Sequence, residues 1–181
     1  MFISEIVERQ IMPKALKSTS GIIGISFGVS ESAANTYTQE QINLQLNPLD
    51  NEVFVVLGVD LDPSAPDAIA TTDTTSQAGL TKTTQTAALN LSSNDCISVA
   101  TRQIRAGGFA DGGVPFTHTA IDTPNSVLEY IDILATNDFF VYIVGVNNGS
   151  AKSVSGRMWG YRAKADSATY AALVQSEVLS A

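Results

Sequence analysis

Cysteine, histidine and tryptophan occur once each among the 181 residues, as Cys96, His118 and Trp159. One cysteine excludes an internal disulfide and any cysteine-based zinc site. In the apolar setting Cys96-Ile97-Ser98-Val99 it is expected to be a buried small hydrophobe. Charge is scarce too, at 15% of residues against 44% hydrophobic, while Thr, Ser, Asn and Gln are plentiful. This excludes a disordered chain and describes a polar, thinly charged surface of the kind that packs against other protein. No run reaches the ~18 apolar residues of a membrane span. The opening MFISEIVERQ has acids where a secretion signal has a basic region, so the chain is expected in the cytoplasm unless it leaves inside an assembly.

Basic residues are the scarcer charge, 10 against 18 acidic, for a net of −8. The first 30 residues carry Arg9, Lys14 and Lys17 against Glu5 and Glu8; residues 31–100 set nine acids against Lys82 alone; from 101 onward the two signs nearly cancel. Non-specific nucleic-acid affinity comes from Lys and Arg neutralising phosphates, so the acidic middle excludes a nucleic-acid-binding composition. Only the N-terminal arm, Arg102/Arg105 and Arg157/Arg162/Lys164 are available to a polyanion.

What the chain does have is strand rhythm. Phe2, Ile3, Ile6 and Val7 share one side of a short N-terminal helix that Pro13 stops, and an apolar arm this short must dock on the domain or on a neighbour. Strands are predicted at Gly21–Gly28, Gln41–Leu46, Val53–Leu61, Cys96–Arg105, Phe139–Val146 and Val154–Ala165, with a short one around Leu80–Thr86. Val53, Val55, Leu57, Val59 and Leu61 are placed on one face; Phe54 and Val56 imply that the first half is buried on both sides. Residues 123–137 read either as a threonine-capped helix or as an eighth strand, Glu129–Leu134. Asp166 caps a terminal helix in which Tyr170, Leu173, Val174 and Val178 share a face. No βα alternation appears, so a parallel α/β fold is excluded. The expectation is an all-β, mainly antiparallel, jelly-roll-like β-sandwich, with residues 1–18 as a helical arm and 19–181 as the domain, its helix at about 167–179.

Three stretches invite a functional reading. RAGGFADGGVPFTH, Arg105 to His118, holds four of thirteen glycines and the single histidine. It lacks the lysine of a P-loop, and no Gly-x-Ser-x-Gly elbow supplies a nucleophile for His118, so two turns around a Phe109 anchor are expected and no enzyme. Asp60, Asp62 and Asp67 lie close in sequence and offer oxygen ligands for Ca²⁺, against the plainer reading of a solvated acidic loop. No other cofactor is expected. Arg157, Trp159 and Tyr161 alternate onto one face of the last strand, where exposed rings stack sugars or bases. A lone tryptophan in a β domain is more often core, and the core is the preferred placement, with Arg162 and Lys164 looking outward.

The strand rhythm at 21–62 and 96–165, the polar loops, the apolar arm and the terminal helix together resemble the single-jelly-roll coat proteins of small viruses. That resemblance implies a capsid subunit of the virion, assembled in the host cytoplasm, with other copies of itself and other structural proteins as partners. Phe2, Ile3, Ile6, Val7 and Phe109 would make contacts between subunits, and Asp60, Asp62 and Asp67 would sense divalent ions at a subunit boundary. Many such coats carry a strongly basic arm, whereas this one is nearly neutral, which leaves genome contact weak or indirect. The rival is a carbohydrate-binding or adhesin-like sandwich module using Arg157, Trp159 and Tyr161.

Overall fold

Apolar–polar alternation becomes two antiparallel sheets packed face to face, with one helix on the outside of the first. The structure is a computed structural model that describes residues 15–108, 110, 114–118 and 129–180, with backbone alone for 115–118 and 180. In chain order the strands are β1 (Leu16–Ser18), β2 (Ile23–Ser30), β3 (Thr38–Asn43), β4 (Glu52–Pro63), β5 (Thr74–Thr81), β6 (Cys96–Arg105), β7 (Val114–His118), β8 (Asp132–Leu134), β9 (Asp138–Val146) and β10 (Ser153–Ala165), followed by helix α1 (Ser167–Ser180). The first sheet runs β2–β10–β4–β8, with β1 extending the β2 side of β10; the second runs β3–β9–β5–β6–β7. Four pairings relate the early strands to the late ones in reverse order: β2 with β10, β3 with β9, β4 with β8 and β5 with β6. The predicted helical arm, residues 1–14 of it, lies outside the described residues, and Leu16–Ser18 at its end pair with β10.

The inner faces meet in a core of Phe27, Phe54, Leu80, Leu134, Phe139 and Met158 with aliphatic neighbours. Phe27 and Phe139 meet edge to face across the sheets, centroids 5.9 Å apart, and each buried ring of this size contributes roughly 1.5–3 kcal/mol. A second cluster lies on the outer face of the first sheet, where Tyr170, Leu173 and Val174 of α1 cover Val53, Val55 and Ala163.

β4 does not keep one alternation throughout. A bulge opposite Trp159/Gly160 inserts Leu57, so Phe54 and Val56 face the inner core before it and Val59 and Leu61 after it. Val53 and Val55 instead lie beneath α1, which corrects the single apolar face expected of 53–61. The ambiguous segment supplies strand β8, shorter than expected. β5 begins at Thr74, well before the short strand placed around Leu80, because its inward row opens with Thr74 and Ser76, buried polar residues that hide the periodicity. β7 was not expected. β3 ends at Asn43 since Gln45 adopts φ 54, a left-handed turn that sends Leu44 and Leu46 to cap the core from outside the ladder.

Asp166 caps α1 by accepting the amide of Thr169 at 2.7 Å. The buried helix face is Tyr170, Leu173, Val174 and Glu177; Val178, expected on it, is 63% exposed. Glu177 takes the inward position because its carboxylate accepts the amides of Ala135 (2.8 Å) and Thr136 (2.9 Å). Cys96 is half-buried, less enclosed than its setting implied.

Candidate functional site

Asp60 and Asp62 leave β4 on the outer face of the first sheet, opposite Arg157 and Ser155 of β10. Asp62 pairs with Arg102 of the second sheet at 2.5 Å. Asp67 turns elsewhere. Its carboxylate accepts the amides of Gly149 and Ser150 (both 3.0 Å), the Ser150 hydroxyl (2.9 Å) and the Lys152 ammonium (2.6 Å). The structure therefore does not bring the three carboxylates together, and among the described residues no three His, Cys, Asp or Glu side chains form a group able to hold a metal ion.

The hydrogen bonds from Lys152 and then Ser150 hold the Asp67 carboxyl down to about 2 from its ordinary 3.8. A carboxyl lowered by folding stabilises the fold above its unfolded pKa, and the stabilisation is lost as pH falls through the folded value. The urea midpoint is thus expected to decline between about pH 4 and pH 2, and Asp67→Asn to flatten that decline. An unchanged acid slope in the variant would refute this role.

Around Asp67 lies a polar clamp that sequence reasoning missed. Glu31, 6% exposed, accepts the amides of Gly145 (2.6 Å), Lys152 (2.7 Å) and Thr36 (3.1 Å). Asn148 donates its side-chain amide to the Thr75 carbonyl (2.7 Å), accepts the Asp67 amide (2.9 Å) and exchanges bonds with Asn35. Three loop segments and the start of β5 are fixed together at one end of the sandwich. The turn Asn147-Asn148-Gly149-Ser150 was legible; its partners on other segments, 73 or more residues away, were not.

At the same end, Asp73 accepts the amides of Ala106 and Gly107, both at 2.8 Å, anchoring the start of the glycine loop. These bonds hold its carboxyl below the usual range. Gly108 takes φ 88, a conformation that requires glycine. Phe109 lies outside the described residues, as do Phe2, Ile3, Ile6 and Val7. His118 is placed by its backbone alone, in β7 opposite Thr101.

Arg157, Trp159 and Tyr161 project from the outer face of β10, and they part company there. Tyr161 is half-buried in the cluster beneath α1, where desolvation raises its phenol pKa. Trp159 is 36% exposed. The core placement preferred for it is overturned because the inward positions of β10 belong to Val154 and Met158, which leaves 159 on the outer row. Arg162 and Lys164 are engaged within the chain: Arg162 donates to the carbonyls of Leu44 (2.8 Å) and Gln45 (3.0 Å) and pairs with Glu52, and Lys164 pairs with Asp50.

No family model and no curated protein matches the chain. Among solved structures it is similar to a chain from Desmodium yellow mottle tymovirus over 85% of this chain and 94% of that one, at 11% identity and a TM-score of 0.26. The fold itself defines a two-sheet antiparallel sandwich with a terminal helix.

Proposed function

We propose that the sandwich is a jelly roll and that the chain is a coat subunit of a small virus, which closes a particle through repeated contacts with copies of itself. The observation that carries this is the reverse-order pairing of β2, β3, β4 and β5 with β10, β9, β8 and β6. Such pairing is what a long hairpin gives when it is rolled into two sheets, the arrangement of capsid and lectin domains. The edge of the first sheet supports self-association. β2, Ile23–Ser30, has no charge and no proline, the devices that keep sheet edges apart, and among the described strands it pairs only with β10. The roles are structural rather than catalytic, with no cofactor, and Phe2, Ile3, Ile6, Val7 and Phe109 join neighbouring subunits. Nucleic-acid contact is weak or indirect, since Arg162 and Lys164 are spent on carbonyls and carboxylates of their own subunit. The location is the virion.

Purified protein is expected to give closed particles many times the 19.1 kDa subunit mass by light scattering and negative-stain microscopy. Deleting residues 1–12 is expected to abolish them while leaving a folded subunit. A monomer under all conditions would sink the coat reading.

A further inference from the structure

Beyond the reach of α1, the outer face of the first sheet carries an aromatic ring left open by its neighbours. Trp159 is opposite Gly24 on β2 and Gly58 on β4, so neither directly facing position carries a side chain. A Cβ on Gly24 would touch indole atoms Cδ1 and Nε1 at 3.5 Å and Arg157 Cδ at 3.6 Å, which puts tryptophan and arginine side by side. Arg157 is steadied by one bond, Nε donating to Ser26 Oγ at 3.1 Å. Among the described residues no carboxylate pairs with its guanidinium, and no cation pairs with Asp60, its register partner. A ring face, a donor fork and an acceptor carboxylate thus share one rigid surface with their bonding capacity unspent.

We propose that this surface is a saccharide-binding site, with a pyranose stacked by its C–H face on Trp159 and its hydroxyls shared between Asp60 and Arg157. A neutral, hydroxyl-rich ligand needs both donors and acceptors beside an aromatic face, and this face offers all three. A nucleobase strand is disfavoured: Asp60 lies beside the ring on a chain of net charge −8, whereas single strands need a basic groove. A second copy of the chain is disfavoured because the centre of a protein interface is depleted of charge, and Asp60 is central here. The surface is flat, so one sugar unit binds with a Kd on the order of millimolar and longer oligosaccharides bind more tightly.

The test uses the single tryptophan as its own reporter. The full chain is titrated with methyl glucoside, galactoside, mannoside and N-acetylglucosaminide and with their oligomers, following Trp emission and saturation-transfer NMR. At least one series is expected to shift the emission and receive saturation. Gly24→Val is expected to weaken association at least tenfold with unfolding unchanged, since its Cβ has ordinary contact distance and its methyls overlie the ring. Asp60→Asn is expected to weaken it at least fivefold, and Tyr161→Phe to leave it unaltered. No response to any sugar, undiminished binding by Gly24→Val, or a response to oligothymidine instead would overturn the proposal. So would an emission that shifts with protein concentration and ignores sugar, which would assign the ring to a contact between copies. These readouts do not depend on particles forming, so failure of the coat reading stays distinguishable.

Discussion

Gly160→Ala is expected to destabilise the domain by about 4 kcal/mol or more, enough to leave many preparations unfolded. Gly160 sits at the bulge that switches the inward row of β4, and an added Cβ would overlap both the Val55 carbonyl oxygen and the Phe54 ring. Neither can move away. Val55 belongs to the β4–β10 ladder, and Phe54 is fully buried in the core between the sheets. Gly24→Ala is the control, because its Cβ meets only side chains at ordinary contact distance. There the change is expected to be neutral or to stabilise by about 0.4–1 kcal/mol through the unfolded chain. Urea unfolding of the two variants separates these outcomes; a Gly160→Ala protein within about 1 kcal/mol of the parent would contradict the packing at the bulge.

The bulge also shows where sequence pattern stops being informative. Leu57 is apolar like its neighbours, so 53–61 reads as one alternating row, and within it only Gly58 hints at where the phase changes. The partner does mark it, through Gly160, whose missing side chain lets Phe54 sit against the backbone. Strands whose inward rows are apolar, β4, β9 and β10, were legible because burial and hydrophobicity coincide in them. β5 was not, since Thr74 and Ser76 are buried as fully as Ala78 and Leu80. Of the candidate site, the shared face of Arg157, Trp159 and Tyr161 follows from alternation alone. Their different exposures do not, for these depend on where α1 lies across the sheet, and Asp60 joins Arg157 only through the register of β4 against β10.

The clamp at the loop end carries the second large effect, and it is invisible to pattern because every contact in it is polar and long-range. Glu31→Ala is expected to cost about 3–5 kcal/mol, since the amides of Gly145 and Lys152 lose their acceptor where both bonds are buried, while Thr36 keeps its bond to the Ala33 carbonyl. The two carboxylate oxygens share these amides, Oε1 accepting Gly145 and Thr36 and Oε2 accepting Lys152. Glu31→Gln keeps one oxygen and turns an NH₂ group toward a third N–H donor. With Oε1 retained, the Lys152 amide alone is left facing a donor, at a cost of about 1–3 kcal/mol. Hydrogen exchange followed amide by amide reads this directly: the glutamine variant should expose Lys152, and the alanine variant should expose Gly145 and Lys152 together. Exchange at both amides as slow as in the parent in either variant would mean that the carboxylate is not what closes this end of the sandwich. If it is, one side chain ties together the strand ends on either side of the turn at 147–150, while Asp67 and Asn148 hold the turn itself. This end of the sandwich then depends on Glu31 as much as on the apolar core.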